Sequence, residues 1–250
     1  MSEKENKFPS EIIDLPSKGL AYPEDSPLRS GKLEIKYMTA REEDILTSQN
    51  LIKKGVVIDR LLNSLIATKG VTSKMLILGD KNAIMIAARI LAYGPEYNCE
   101  VIDPDTGEKF KHTFNLTECP FKKIPEDIDY SQNRFEFELP ASKVRIEFKL
   151  LTGEDEQKID AEIKSSKKMG ASTEITTRLR HIITSVDGKS DFGVINNFAS
   201  NMLSRDSIAL RQEVFRISPD IELKQEVEIG GELVTVDIPL TTEFFWPTAI

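Results

Sequence analysis

Two histidines, two cysteines and several runs of acids are the residues in this 250-residue chain whose types could support chemistry. His112, in the segment KFKHTF, is read as opposite in phase to Phe110 and Phe114 and therefore as solvent-facing. His181 falls beside Arg180 in a mid-chain helix. Neither has a Ser-x-Gly elbow, a cysteine partner or HExxH spacing around it, so both are assigned structural roles. Cys99 and Cys119 stand alone, without the CxxC pairs that close a tetrahedron on zinc. They fit free thiols of a reducing compartment, and nothing demands a bridge between them. Asp103, Asp105 and Glu108 could be imagined as calcium ligands. The twelve-residue EF-hand frame is missing, however, and Asp-Pro-Asp-x-Gly is ordinary turn chemistry. Glu42-Glu43-Asp44 and Glu154-Asp155-Glu156 fall in first helical turns, where the helix dipole favours negative charge. Neither GxGxxG nor GxxxxGK[ST] occurs, and Gly230-Gly231 joins two strands rather than a strand to a helix. The expectation is a protein that is not an enzyme and has no cofactor, metal or small-molecule substrate.

The elements that would position these residues follow from periodicity and punctuation. Pro9, Pro16, Pro23 and Pro27, with Gly19 and Gly31, make residues 1–31 an extended arm. Its Ile12, Ile13, Leu15, Leu20 and Tyr22 are too apolar for a free tail and should pin it to a surface, its own or a partner's. Leu33, Ile35 and Tyr37 alternate with Lys32, Glu34 and Lys36 as a half-buried strand. Thr39 and Glu42 form a capping box that starts a helix running to Gly55. A second helix carries Val57, Ile58, Leu61, Leu62, Leu65 and Ile66 on one face. A third begins after Asp80 as N-cap and ends at Gly94-Pro95. A hairpin of Cys99 to Ile102 and Lys109 to Phe114 closes this half.

Residues 117–132, with Pro120 and Pro125, read as a linker. Beyond it, Phe135 to Leu139 and Val144 to Phe148 alternate as a second hairpin. Thr152 and Asp155 cap a polar helix over 154–168, and helices are expected at 173–186, 192–203 and 206–217. A last hairpin, Ile221 to Ile229 and Leu233 to Ile238, precedes the tail PLTTEFFWPTAI. The fold class is α+β, in two small halves (32–116 and 133–240) of strands, helices and hairpin, followed by a C-terminal aromatic tail at 241–250. The shared order fits either an ancient duplication or two similar small domains.

Composition limits the partners. With 40% apolar and 30% charged residues the chain can bury a core. A net charge of -8 repels phosphate backbones, and Lys122-Lys123 and Lys164 to Lys168 are too short and diluted to make a basic stripe. Nucleic acid is therefore not an expected partner. No stretch approaches the roughly 18 apolar residues of a membrane helix, and the polar opening lacks a secretory core, so the protein is expected in the cytoplasm where it is made.

What stands out is apolar material at both ends. Phe244, Phe245, Trp246 and Pro247 include the sole tryptophan. They either fold back onto the core or anchor another subunit, because large aromatics bury much area at little entropic cost. Leu15, Pro16, Leu20 and Tyr22 of the arm present the same two readings. These eight are the candidate partner-binding residues.

The chain resembles the T4-type phage baseplate family that includes hub subunits and hub-assembly factors. The resemblance rests on Leu15-Pro16-Ser17-Lys18-Gly19-Leu20-Ala21-Tyr22-Pro23 and on Met38-Thr39-Ala40-Arg41-Glu42-Glu43-Asp44-Ile45-Leu46. It continues in Gly79-Asp80 leading to Arg89-Ile90-Leu91-Ala92-Tyr93-Gly94, and in Phe244-Phe245-Trp246-Pro247. Some relatives place a Cys-Pro-x-Cys knuckle after the Tyr-Gly segment. Here Ile102-Asp103-Pro104-Asp105-Thr106-Gly107 stands there, so a zinc role is not carried over. The resemblance implies a baseplate hub subunit, or a chaperone of hub assembly, that works by contact with other hub or tail proteins. The location implied is the host cytoplasm during assembly or the virion tail baseplate. The competing reading is a generic cytosolic interaction adaptor with no viral role.

Overall fold

The computed structural model describes residues 9–103, 106–170, 173–229, 232–240 and 242–245. Within them nine strands form four small antiparallel sheets, and eight helices lie between and beside these, an α+β fold. The arm is not free: β1 (Ser10–Asp14) pairs with β2 (Lys32–Lys36), whose Leu33 and Ile35 are buried while Lys32 and Glu34 face out. At α1 (Ala40–Thr47) the Glu42 carboxylate accepts from the Thr39 N–H at 2.9 Å and from its hydroxyl at 2.6 Å, closing the capping box. The single helix expected up to Gly55 breaks at Ser48. Thr47 Oγ1 donates to the Glu43 carbonyl at 3.1 Å, competing with the helical ladder, and α2 (Gln49–Lys54) restarts beyond Ser48. Gly55, at φ 71, ends α2 in the left-handed cap that only glycine adopts freely.

α3 (Val57–Leu65) turns Leu61, Leu62 and Leu65 fully inward. α4 (Leu78–Tyr93) starts earlier than expected, with Ile77 rather than Asp80 at the cap, because the Asp80 side chain is engaged outside its own helix. β3 (Glu96–Ile102) and β4 (Lys109–Asn115) form the hairpin, successive residues alternating between its two faces. The Pro104 and Asp105 positions of its turn lie outside the described residues.

β5 (Phe135–Glu138) and β6 (Arg145–Phe148) pair as expected, and α5 (Gly153–Lys168) begins at the Thr152–Asp155 box. The helix expected over 173–186 is shorter. α6 (Glu174–Ile182) gives way to β7 (Ile183–Val186), which pairs with β6. Ile183 and Val186 are β-branched, and a waiting strand edge draws them out of the helix. α7 (Phe192–Asn201), α8 (Ser204–Ile217), β8 (Lys224–Ile229) and β9 (Glu232–Asp237) complete the order.

The core consists of two clusters, and each draws on both sides of 117–132. The first joins Leu15, Leu28 and Ile35 to Phe135, Phe148 and Leu210. The second joins Leu61, Tyr97 and Phe114 to Val227, Val236 and Phe244. Backbones also meet across the chain. Gly153 N–H donates to the Leu76 carbonyl at 2.8 Å. A Cβ on Gly79 would lie 1.8 Å from the Pro219 carbonyl oxygen, so that contact admits glycine alone.

Candidate functional site

Helix α4 fastens the N-terminal arm at Ser17 and Tyr22 and the C-terminal segment at Phe244. At its start Asp80, with no exposed surface, accepts from Ser17 N–H at 2.9 Å and Ser17 Oγ at 2.7 Å. It also accepts from the Tyr22 hydroxyl at 2.6 Å, and that hydroxyl in turn accepts from Ile77 N–H at 3.0 Å. Burial pushes the Asp80 carboxyl above its ordinary value despite these donors, and burial together with Asp80 pushes the Tyr22 phenol up. A serine, a tyrosine and a carboxylate could be mistaken for a catalytic group. Ser17 and Asp80 are fully enclosed and Tyr22 keeps 4% of its surface, so a substrate cannot reach the hydroxyls. Lys18 and Gly19, at φ 51 and 77, let the loop double back tightly. A Cβ on Gly19 would sit 2.3 Å from the Arg29 carbonyl oxygen. Arg29 closes the loop through the Leu20 and Tyr22 carbonyls at 2.9 and 3.2 Å.

At the other end of α4 the Arg89 guanidinium is buried and donates to three carbonyls. These are Phe244 at 3.0 Å, Gly94 at 3.3 Å and Glu96 at 3.2 Å. It also lies over the rings of Tyr93 and Tyr97 at 5.0 and 5.9 Å. Burial lowers its pKa and the two tyrosines oppose that shift. Phe244 meets Tyr97 edge-on at 4.9 Å and Phe245 at 5.2 Å.

The eight candidate partner-binding residues are therefore placed unequally. Leu15, Pro16, Tyr22, Phe244 and Phe245 are buried in the chain's own core. Leu20 is 39% exposed, and Trp246 and Pro247 lie outside the described residues. For the buried five, the fold-back arrangement is the one found.

Other polar groups also tie elements together. Asp59 of α3 takes Lys81 of α4 at 2.6 Å and Gln157 of α5 at 2.9 Å. Asp155 takes Lys149 at 2.7 Å, and Glu162 takes His181 at 2.9 Å together with Arg180. His112 is half-buried rather than solvent-facing, its ring edge-on to Phe114 at 4.6 Å and to Phe110 at 6.4 Å. Residues two apart on a strand share a face, which puts all three rings on one side. Burial pushes the Cys99 thiol up to about 11 and raises Cys119, leaving little thiolate at neutral pH for chemistry or metal binding. Among the described residues no three His, Cys, Asp or Glu side chains gather as a metal site, and no helix is long and apolar enough to cross a membrane.

Among the described residues, one exposed apolar surface lies between α4, α6 and α8. Phe215 is 68% exposed and Leu78 49%, both at a cleft of 250 Å³ floored by Ile77, Leu150, Leu151 and Ile182. Lys122 Nζ lies over the Phe215 ring, 3.9 Å from its centre. Through Arg178, Ile182 and Arg211 the cleft continues into a second of 520 Å³, beside the exposed Ile175. Sequence reasoning missed Phe215, although a signal was present. It sits beside the Leu210, Val214, Ile217 stripe of α8 rather than in it, and an aromatic off the core stripe has its ring in water.

No curated protein and no solved structure matches the chain. The sequence model of the family described as T4 bacteriophage base plate protein matches residues 14–246, which take in both fastened segments and all of α4. The chain belongs to the T4 bacteriophage base plate protein family.

Proposed function

We propose that this baseplate protein acts without catalysis in building the central hub, as a hub subunit or as a chaperone that holds hub components, through contacts with other tail proteins. The observation that carries this reading is the cleft with exposed Phe215 and Leu78 at its mouth, beside polar groups that are spent on the chain's own structure. An exposed aromatic at a concave apolar surface is the usual anchor of a protein interface. Leu20, Trp246 and Pro247 join it as candidate contacts. A charged chain that encloses most of its apolar material suits transient holding during assembly in the host cytoplasm, more than permanent incorporation through a broad apolar face.

The test is quantitative mass spectrometry of purified virions and of tail-assembly intermediates from infected cells. Presence in intermediates alone identifies a chaperone, and presence in both identifies a subunit. Absence from both sinks the reading and leaves the cellular adaptor.

A further inference from the structure

Strand β1 has one satisfied edge and one open edge. Leu15 N–H donates to the Gly31 carbonyl at 2.8 Å and Tyr37 N–H to the Pro9 carbonyl at 3.1 Å. With the register Glu11–Ile35 and Ile13–Leu33, residues 9, 11, 13 and 15 are those bonded toward β2. Antiparallel strands alternate their bonding sides, so the N–H and C=O groups of Ser10, Ile12 and Asp14 point away from the sheet. Among the described residues β1 has no second strand neighbour, and no other backbone bond reaches these three residues. The outer edge of β2, by contrast, is covered. Glu34 accepts from Ala67 N–H at 2.8 Å and donates to Thr68 Oγ1 at 2.9 Å. Ile12 is 68% exposed at the middle of the open edge.

We propose that this edge pairs with the same edge of a second copy of the chain. The pairing is antiparallel about a two-fold axis at Ile12, so that two sheets become one of order β2-β1-β1-β2. Outward residues must meet outward residues, which sets Ile12 against residue 10, 12 or 14 of the second copy. Only Ile12 against Ile12 satisfies every outward group on both strands. Side chains fit that register. The two Ile12 side chains adjoin on one face, and Ser10 stands opposite Asp14 of the second copy, whose carboxylate already pairs with Lys32 at 3.8 Å. On the other face Glu11 stands opposite Ile13. No like charges are directly opposed, and a surface that matches itself is what a two-fold dimer requires. A seam of five residues per strand is small, so the dimer is weak and concentration-dependent.

Sedimentation equilibrium of the full chain over a wide concentration series tests this. Wild type and Ile12→Val should dimerise. Ile12→Lys, which sets two ammonium groups side by side on an exposed position, should weaken the dimer at least tenfold with unchanged thermal stability. Ile12→Cys should cross-link to itself on oxidation, because directly opposed residues lie at about 5.5 Å between Cα atoms, within disulfide reach. Glu11→Cys, which faces Ile13, should cross-link several-fold less. A wild type that is monomeric throughout overturns the proposal and leaves the edge to a strand from another protein. So does a dimer indifferent to Ile12→Lys, or equal cross-linking at positions 11 and 12.

Discussion

Asp80 accepts three hydrogen bonds in a place that water does not reach, so removing it strands Ser17 N–H, Ser17 Oγ and the Tyr22 hydroxyl together. A buried donor left unpaired costs more than its bond was worth. Asp80→Ala is expected to destabilise the protein by about 3 kcal/mol. Urea unfolding reads this as a lower midpoint with an unchanged slope, and a midpoint within error of wild type would contradict the fastening role. The side chain's type and its place near a helix start were legible, and an N-cap was the local reading. Its true partner lies 63 residues earlier in the chain. Periodicity and capping rules act over a few residues and carry no information about such a pairing. The same limit hid Arg89, whose acceptor at Phe244 is 155 residues away.

Elements were legible where their signal is local, and misread where a distant neighbour intervenes. Thr39 with Glu42 and Thr152 with Asp155 mark helix starts because the bonds are made within the first turn. Ile183 to Val186 look helical by spacing until β6 offers an edge. How helices are held to one another gives a pH prediction. Burial alone would raise the Asp59 carboxyl, but Lys81 and Gln157 outweigh it and hold the carboxyl below the ordinary aspartate range. The unfolded chain then binds this proton more readily than the folded one. The stabilisation is present in full above the ordinary aspartate range and is lost as pH falls through the lower folded value. Asp59→Asn should cost about 2 kcal/mol at neutral pH. The gap between wild type and variant should close as the medium is acidified through that window, as read by urea unfolding at each pH. A gap that stays constant would show that the Lys81 pairing is not its source.

At the scale of the whole molecule, the aromatic tail and the Phe215 cleft make opposite predictions. Phe244 and Phe245 complete the second core cluster, and the Phe244 carbonyl is one of three acceptors for a buried arginine. Losing a buried phenylalanine side chain costs about 3–5 kcal/mol, and a domain has about 5–15 kcal/mol in all. Deleting residues 240–250 should therefore abolish cooperative unfolding and the near-ultraviolet circular dichroism of a packed core, whatever it does to binding. Phe215 is 68% exposed. Phe215→Ser should leave the unfolding midpoint within about 0.5 kcal/mol of wild type, as surface changes do. In tail-assembly intermediates it should nonetheless lower the chain's recovery severalfold. That pair of outcomes would locate fold and contact in different places. If the deletion stays folded and loses its partners while Phe215→Ser keeps them, the tail is the contact and the cleft is not.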